Sequence, residues 1–214
     1  MGILGNIFSK RPSVSPDSIT FDASRYSFQG DSDGVRIWYL PEGGGVGLYF
    51  FALPPNLPTH LPTASHLRDF YVSQMGEKLQ CVECRVLGLD GVQSVWVIAR
   101  GKDEQSGGAV YIGSLTLPFR DFSFVIKIQC YEGNITGVRE ALLVEKALRD
   151  GTATMEDGKL VMHGWSPDDE KFDNLVPQHP ISRLRAEMRN IATSIRIDKA
   201  VKEQLRFELP TESI

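Results

Sequence analysis

Between Ala109 and Leu148 a strand pattern, a tight Pro118-Phe119-Arg120-Asp121 turn, a second strand and an amphipathic helix follow one another without a gap. In the second strand Phe122, Phe124, Ile126, Ile128 and Cys130 alternate with Ser123, Val125, Lys127 and Gln129. A period of two places the first set in the core and leaves the second partly wet, the pattern of an antiparallel strand with one solvated side. This stretch fixes a fold class and leaves the chemistry open.

The flanking segments extend the same pattern. Val35 to Leu40 and Val46 to Leu53 read as two strands around the glycines Gly43 to Gly45. A proline-rich crossing from Pro54 to Pro62 leads to a helix over Ala64 to Lys78, capped by Thr63 and ending near Gly76. Leu79 to Leu87 and Val92 to Arg100 flank Asp90-Gly91, a strong hairpin signal. Thr136 can cap a helix that carries Ala141, Val144 and Leu148 on one face and stops at Gly151. Leu184, Met188, Ile191 and Ile195 mark a last helix over Ser182 to Ile195, with Arg183, Arg185 and Arg189 off its apolar stripe. The expected architecture is α+β: a twisted antiparallel sheet packed by about three α-helices in a single domain. Its expected limits are a flexible arm over 1–18, the domain over 19–206 with an acidic loop insertion over 150–174, and a tail over 207–214.

Several function classes are disfavoured. A formal net charge of −4 gives no global pull toward nucleic acid. The longest apolar run, Val46 to Leu53, is too short to span a bilayer as a helix. The N-terminal residues lack the apolar core of a secretory signal. Three cysteines, too few for a disulfide framework, suit a reducing compartment, so the expectation is cytoplasmic. In that setting the Asn134-Ile135-Thr136 sequon carries no weight.

Cys81-Val82-Glu83-Cys84 matches a metal or redox half-site, but on a strand residues three apart point to opposite faces, so the pair reads as two small hydrophobes. His60, His66, His163 and His179 are scattered, and no metal site or cofactor is expected. Gly43 to Gly47 lead into a strand, not a helix, which excludes a phosphate loop. No nucleophile motif is assembled, so no catalytic residue is assigned.

The candidate binding residues are therefore polar groups beside the strand pair: Arg120, Asp121, Ser123, Lys127, Gln129, Arg139 and Glu140. An arginine of Arg120 or Arg139 pairing with Asp121 or Glu140 pins the turn to the helix, while Glu140 complements the helix N-terminus. The segment from Ile181 to Arg206 holds seven basic residues against three acidic ones, and its natural complement is the acidic stretch before it.

The order of elements resembles the PsbP-like superfamily, which includes the photosystem extrinsic protein and the Ran-binding nuclear import factor. The resemblance covers roughly Ile19 to Arg196. It rests on Leu61-Pro62-Thr63-Ala64-Ser65 opening a helix that ends at Gly76, the hairpin Val86 to Ala99, Tyr111-Ile112-Gly113-Ser114-Leu115, and the closing Ile191-Ala192-Thr193-Ser194-Ile195. It implies a twisted antiparallel sheet packed by helices and used for binding. The functional expectation is a non-catalytic interaction module or adaptor receiving a protein partner on the wet sheet face around Ser123, Lys127 and Gln129. The alternatives are a small-molecule or hydrolytic enzyme with a site around Arg120, Arg139 and His163, and a peripheral membrane protein using Ile3, Leu4, Ile7 and Phe8.

Overall fold

A computed structural model describes residues 14–58, 63–133, 137–157 and 159–209. The arm residues Ile3 to Phe8, His60, and the Thr136 cap lie outside them.

The alternation in sequence becomes a seven-stranded sheet. A 3-10 turn over Pro16–Ser18 precedes β1 (Ile19–Thr20), β2 (Ser27–Ser32), β3 (Val35–Tyr39) and β4 (Gly45–Phe51). Then come α1 (Ala64–Met75), β5 (Leu79–Leu89), β6 (Val92–Lys102), β7 (Ala109–Pro118) and β8 (Ser123–Tyr131). The chain closes with α2 (Val138–Asp150), β9 (Ala153–Glu156), β10 (Lys159–Met162), a 3-10 turn over Glu170–Phe172, α3 (Pro180–Ser194), β11 (Arg196–Ile197) and α4 (Lys199–Lys202). The main sheet runs β2-β3-β4-β8-β7-β6-β5, and every pairing in it is antiparallel. Two small ladders, β1 with β11 and β9 with β10, stand apart. The fold is the expected α+β class.

One sheet face carries the main core. Trp96, Ile98, Tyr111, Leu115, Phe124, Ile126 and Ile128 project onto α3, whose Leu184, Met188 and Ile191 are fully buried against them. The close approach needs Gly113, where a Cβ would sit 2.3 Å from Met188 Sδ. Among the described residues the opposite face is covered only at its β5–β6 end, where Leu67 of α1 packs on Val86, Val95 and Val97. Phe207 and Leu209, on the segment expected as a tail, join that second cluster.

Several details differ from the sequence reading, among them the buried face of α2, which is Arg139, Leu143 and Ala147, with Ala141 and Leu148 exposed. Strands β2 and β9 were not foreseen, whereas β10 falls where the acidic stretch reads as loop with one short strand near Leu160 to His163. Helix α1 stops at Met75, because Gly76 leaves the helical region with φ +60°. Helix α3 starts two residues early, with His179 as N-cap and Pro180 in the first turn, where a missing N–H costs nothing. A bulge between Cys81 and Glu83 puts Cys81 and Cys84 opposite Ala99 and Val97, which share one face. The extra residue reverses the strand alternation on which the opposite-face argument relied. Cys84 packs on the α1 cluster, and burial pushes its thiol up to about 12, so it stays protonated.

Candidate functional site

The expected residues separate into three groups. Arg120 and Asp121 form an exposed bidentate pair in the β7–β8 turn, Nε to Oδ1 3.1 Å and Nη2 to Oδ2 2.9 Å. Arg139 and Glu140 lie beyond the other end of β8, about 26 Å away along nine strand residues. Turn and helix are therefore not pinned to each other by these side chains, because the full strand length separates them. His163 sits exposed after β10, its Nε2 3.1 Å from Thr154 Oγ1, and does not bring Arg120 and Arg139 into one site.

The middle group lies on the open sheet face. Ser123 is buried and offers little to a partner, which corrects the expectation that it is wet. Lys127 and Gln129 are exposed as read. Around them β3, β4 and β8 present Ile37, Tyr39, Tyr49, Phe51 and Tyr131 on the same side, as the register pairs Gly47 with Lys127, Tyr49 with Val125 and Gly45 with Gln129. Tyr39 is 57% exposed and Tyr131 42%. Tyr49 lies flat over Gly47, where a Cβ would come within 2.6 Å of the ring, and Lys127 Nζ stands 5.6 Å from that ring's centroid. Tyr131 Oη donates to Gln129 Oε1 at 3.1 Å. Gly44 closes the rim at φ +98°, its Cα so near β8 that a Cβ would sit 2.0 Å from the Gln129 carbonyl oxygen. The result is a shallow concavity of about 650 Å³ walled by tyrosines and floored by glycine backbone.

The third group belongs to a buried charge network on the α3 face, which sequence spacing did not reveal. Arg139 is fully buried and donates to the Pro167 carbonyl at 2.5 Å, Ser182 Oγ at 2.7 Å, the Asp169 carbonyl at 3.0 Å and Asp173 Oδ1 at 3.2 Å. Arg185, expected on the solvated side of its helix, is equally buried and donates to Glu83 Oε1 at 2.5 Å, Asp173 Oδ1 at 2.7 Å and the Asp168 carbonyl. Arg100 bridges Glu140 at 2.9 Å and Asp168 at 3.1 Å, and Tyr111 Oη donates to Asp168 at 2.9 Å. Burial, reinforced by Asp168, drives the Tyr111 phenol far up. The acidic stretch is thus the internal complement of the α2 and α3 arginines, and Arg189 with Glu170 extends it to the surface.

At one end of this network Glu132, Glu140 and His179 converge, one ligand-type atom from each lying within 4.8 Å of the others. Glu132 is held by two backbone donors, Gly137 N to Oε1 and Ala109 N to Oε2, both at 2.9 Å. Glu140 Oε2 and His179 Nε2 are buried with no hydrogen-bond partner. Burial, and then the Arg139 charge, hold the His179 imidazole below its ordinary value. Glu132, Glu140 and Arg100 line a concavity of about 550 Å³ between the β6–β7 loop and the start of α2.

No helix among the described residues is long and apolar enough to cross a membrane. No family model matches the chain, and no curated protein matches it in sequence. Among solved structures it is similar to cyanobacterial PsbP from Synechocystis sp. PCC 6803, with 12% identity over 92% of this chain and 98% of that one at a TM-score of 0.41. A Pseudomonas aeruginosa protein of unknown function, PA94, aligns over 66% of this chain and 99% of its own at 11% identity and TM-score 0.36. For a Bacteroides thetaiotaomicron protein the figures are 11% identity and 0.35, and the chain spans only 41% of that protein's length. The expected PsbP-like resemblance thus has a counterpart among the solved structures, and at these scores the likeness carries no argument.

Proposed function

We propose that this chain is a non-catalytic protein-interaction module whose partner docks on the open face of β3, β4 and β8. The observation that carries the reading is the cluster of Ile37, Tyr39, Phe51 and Tyr131, each more than two-fifths exposed on a face that α1 covers only at its other end. Tyrosine supplies a large contact area at small entropic cost together with a hydrogen-bonding tip, which is why it is enriched at the centres of interfaces. A sheet held by ladders on both sides also presents these rings with little reorganisation on binding.

The chemistry of the partner follows from the same surface. Lys127 has no carboxylate partner among the described residues and stands beside the Tyr49 ring. The surface therefore fits a protein segment with an apolar strip for the tyrosines and an acidic group for Lys127. Of the residues expected to bind, Lys127 and Gln129 belong to this face, whereas Arg139 and Glu140 serve the internal network.

The test immobilises the wild-type chain beside Tyr39→Glu and Lys127→Glu variants and identifies captured proteins by mass spectrometry. The protein lost with both variants is then purified and titrated against all three. The expected result is at least about tenfold weaker binding to each variant, or ~1.4 kcal/mol, with unchanged melting. Equal affinity for the three chains would remove this face as the docking surface.

A further inference from the structure

We infer that Glu132, Glu140 and His179 form a binding site for one divalent cation of the borderline class, zinc, next to the concavity beside the β6–β7 loop that Glu132 and Glu140 line. This goes beyond the interaction reading and rests on other residues, on the opposite side of the sheet.

The donor set is one imidazole nitrogen and two carboxylates, which together suit borderline ions better than either the softest or the hardest cations. Three protein donors leave further positions for water from the concavity, as in open sites. A separation of up to 4.8 Å between donor atoms slightly exceeds what two ligands on opposite sides of one ion span, so small side-chain movements complete the site.

The unsatisfied atoms supply an independent reason. The His179 side chain is 4% exposed, and its Nε2 lacks a hydrogen bond, standing 3.7 Å from Glu132 Oε1. Glu140 Oε2 is buried and equally bare. Native interiors rarely leave such groups unpaired, and two of them directed at one point are both satisfied by a single cation. Second contacts fix the ligands: Ala109 and Gly137 amides hold Glu132, and Arg100 holds the other oxygen of Glu140. Around them Glu83, Glu132, Glu140, Asp168 and Asp173 face Arg100, Arg139 and Arg185, five carboxylates to three guanidinium groups.

Binding carries one identifiable cost. His179 Nδ1 accepts from the Ile181 amide at 3.4 Å as the α3 cap, so ligation through Nε2 moves the ring proton to Nδ1 and displaces that long contact. The fold brings the three residues together from the end of β8, the first turn of α2 and the start of α3, which is why sequence spacing predicted no metal site.

The test uses the full chain, stripped by a chelator and desalted, titrated calorimetrically with zinc chloride. His179→Asn removes Nε2 while retaining a side chain that caps helices well, Glu140→Gln keeps an acceptor for Arg100, and His163→Asn is the surface control. The expected result is one ion per wild-type chain, a melting temperature raised by that ion, and faster exchange of the Ile181 amide when it binds. His179→Asn and Glu140→Gln should each weaken binding at least about tenfold, with His163→Asn unchanged. If His179→Asn fails to fold, Glu140→Gln alone decides. Absence of binding up to about 1 mM ion, or binding that survives Glu140→Gln, overturns the assignment.

Discussion

Replacing Arg139 by Met keeps an unbranched apolar stem and deletes the guanidinium and its charge. Four acceptors are affected: the Pro167 and Asp169 carbonyls, Ser182 Oγ and Asp173 Oδ1. Asp173 keeps Arg185 at 2.7 Å, so its loss is partial, but the carbonyls are left without a replacement donor from residue 139. Breaking a buried ion pair from one side costs about 3–5 kcal/mol. For a chain of this size each kcal/mol moves the melting midpoint by roughly 2–4 °C, so the expected drop is roughly 6–20 °C. Urea unfolding followed by tryptophan emission measures the loss in free energy and a thermal scan the drop in midpoint, and Trp165, packed edge-on against Phe172, reports on the acidic segment directly. Arg149→Met is the control, since its pair with Glu145 is about 70% exposed on both sides. If Arg139→Met unfolds at the same urea concentration as that control, the buried network does not hold the acidic segment to α3.

Three further outcomes are expected. Phe124→Asp abolishes folding, because an unpaired carboxylate would enter a fully buried position, whereas Lys127→Glu melts like the wild type; circular dichroism of both variants checks the facing of β8. Gly44→Ala destabilises by about 1–3 kcal/mol, since the φ of +98° and the Gln129 carbonyl both exclude a Cβ, and its urea midpoint should fall with unchanged slope. For His179 the folded value lies below the unfolded 6.5, so the unfolded chain binds the extra proton first. Its contribution is complete above pH 6.5 and is lost as pH falls from there through the lowered folded value. Urea midpoints taken across that range should fall less steeply in His179→Asn than in the wild type.

The parts of the fold that were legible are those in which one local pattern decides. Period-two alternation placed β8 and its buried face, Asp90-Gly91 placed the β5–β6 hairpin, and Thr63 and Gly76 bounded α1. The misses have physical reasons. Strand β2, Ser27–Ser32, is mostly polar and exposed, so it carries no hydrophobic period to read. One inserted residue near Val82 turned the two cysteines to a common face, which no spacing rule anticipates. Arg185 lies off the apolar stripe and is nevertheless buried, because Glu83 and Asp173, 102 and 12 residues away, supply its partners. The Glu132, Glu140 and His179 cluster was illegible for the same reason, although His179-Pro180 at a helix start was a usable cap signal. On the open face, Lys127 and Gln129 were readable from alternation, but the tyrosines around them come from strands that only the pairing order brings alongside.

The central claim is that the partner covers the β3–β4–β8 face. The most direct measurement is radical footprinting of the chain alone and in its isolated complex, read residue by residue by mass spectrometry. Tyr39 and Tyr131 should lose reactivity at least about fivefold in the complex, while Val138, Leu142, Leu148 and Met155, the large exposed apolar residues of α2 and β9, stay as reactive as before. Protection of α2 and β9 with the tyrosines still reactive would contradict the account and move the docking surface to the helical side.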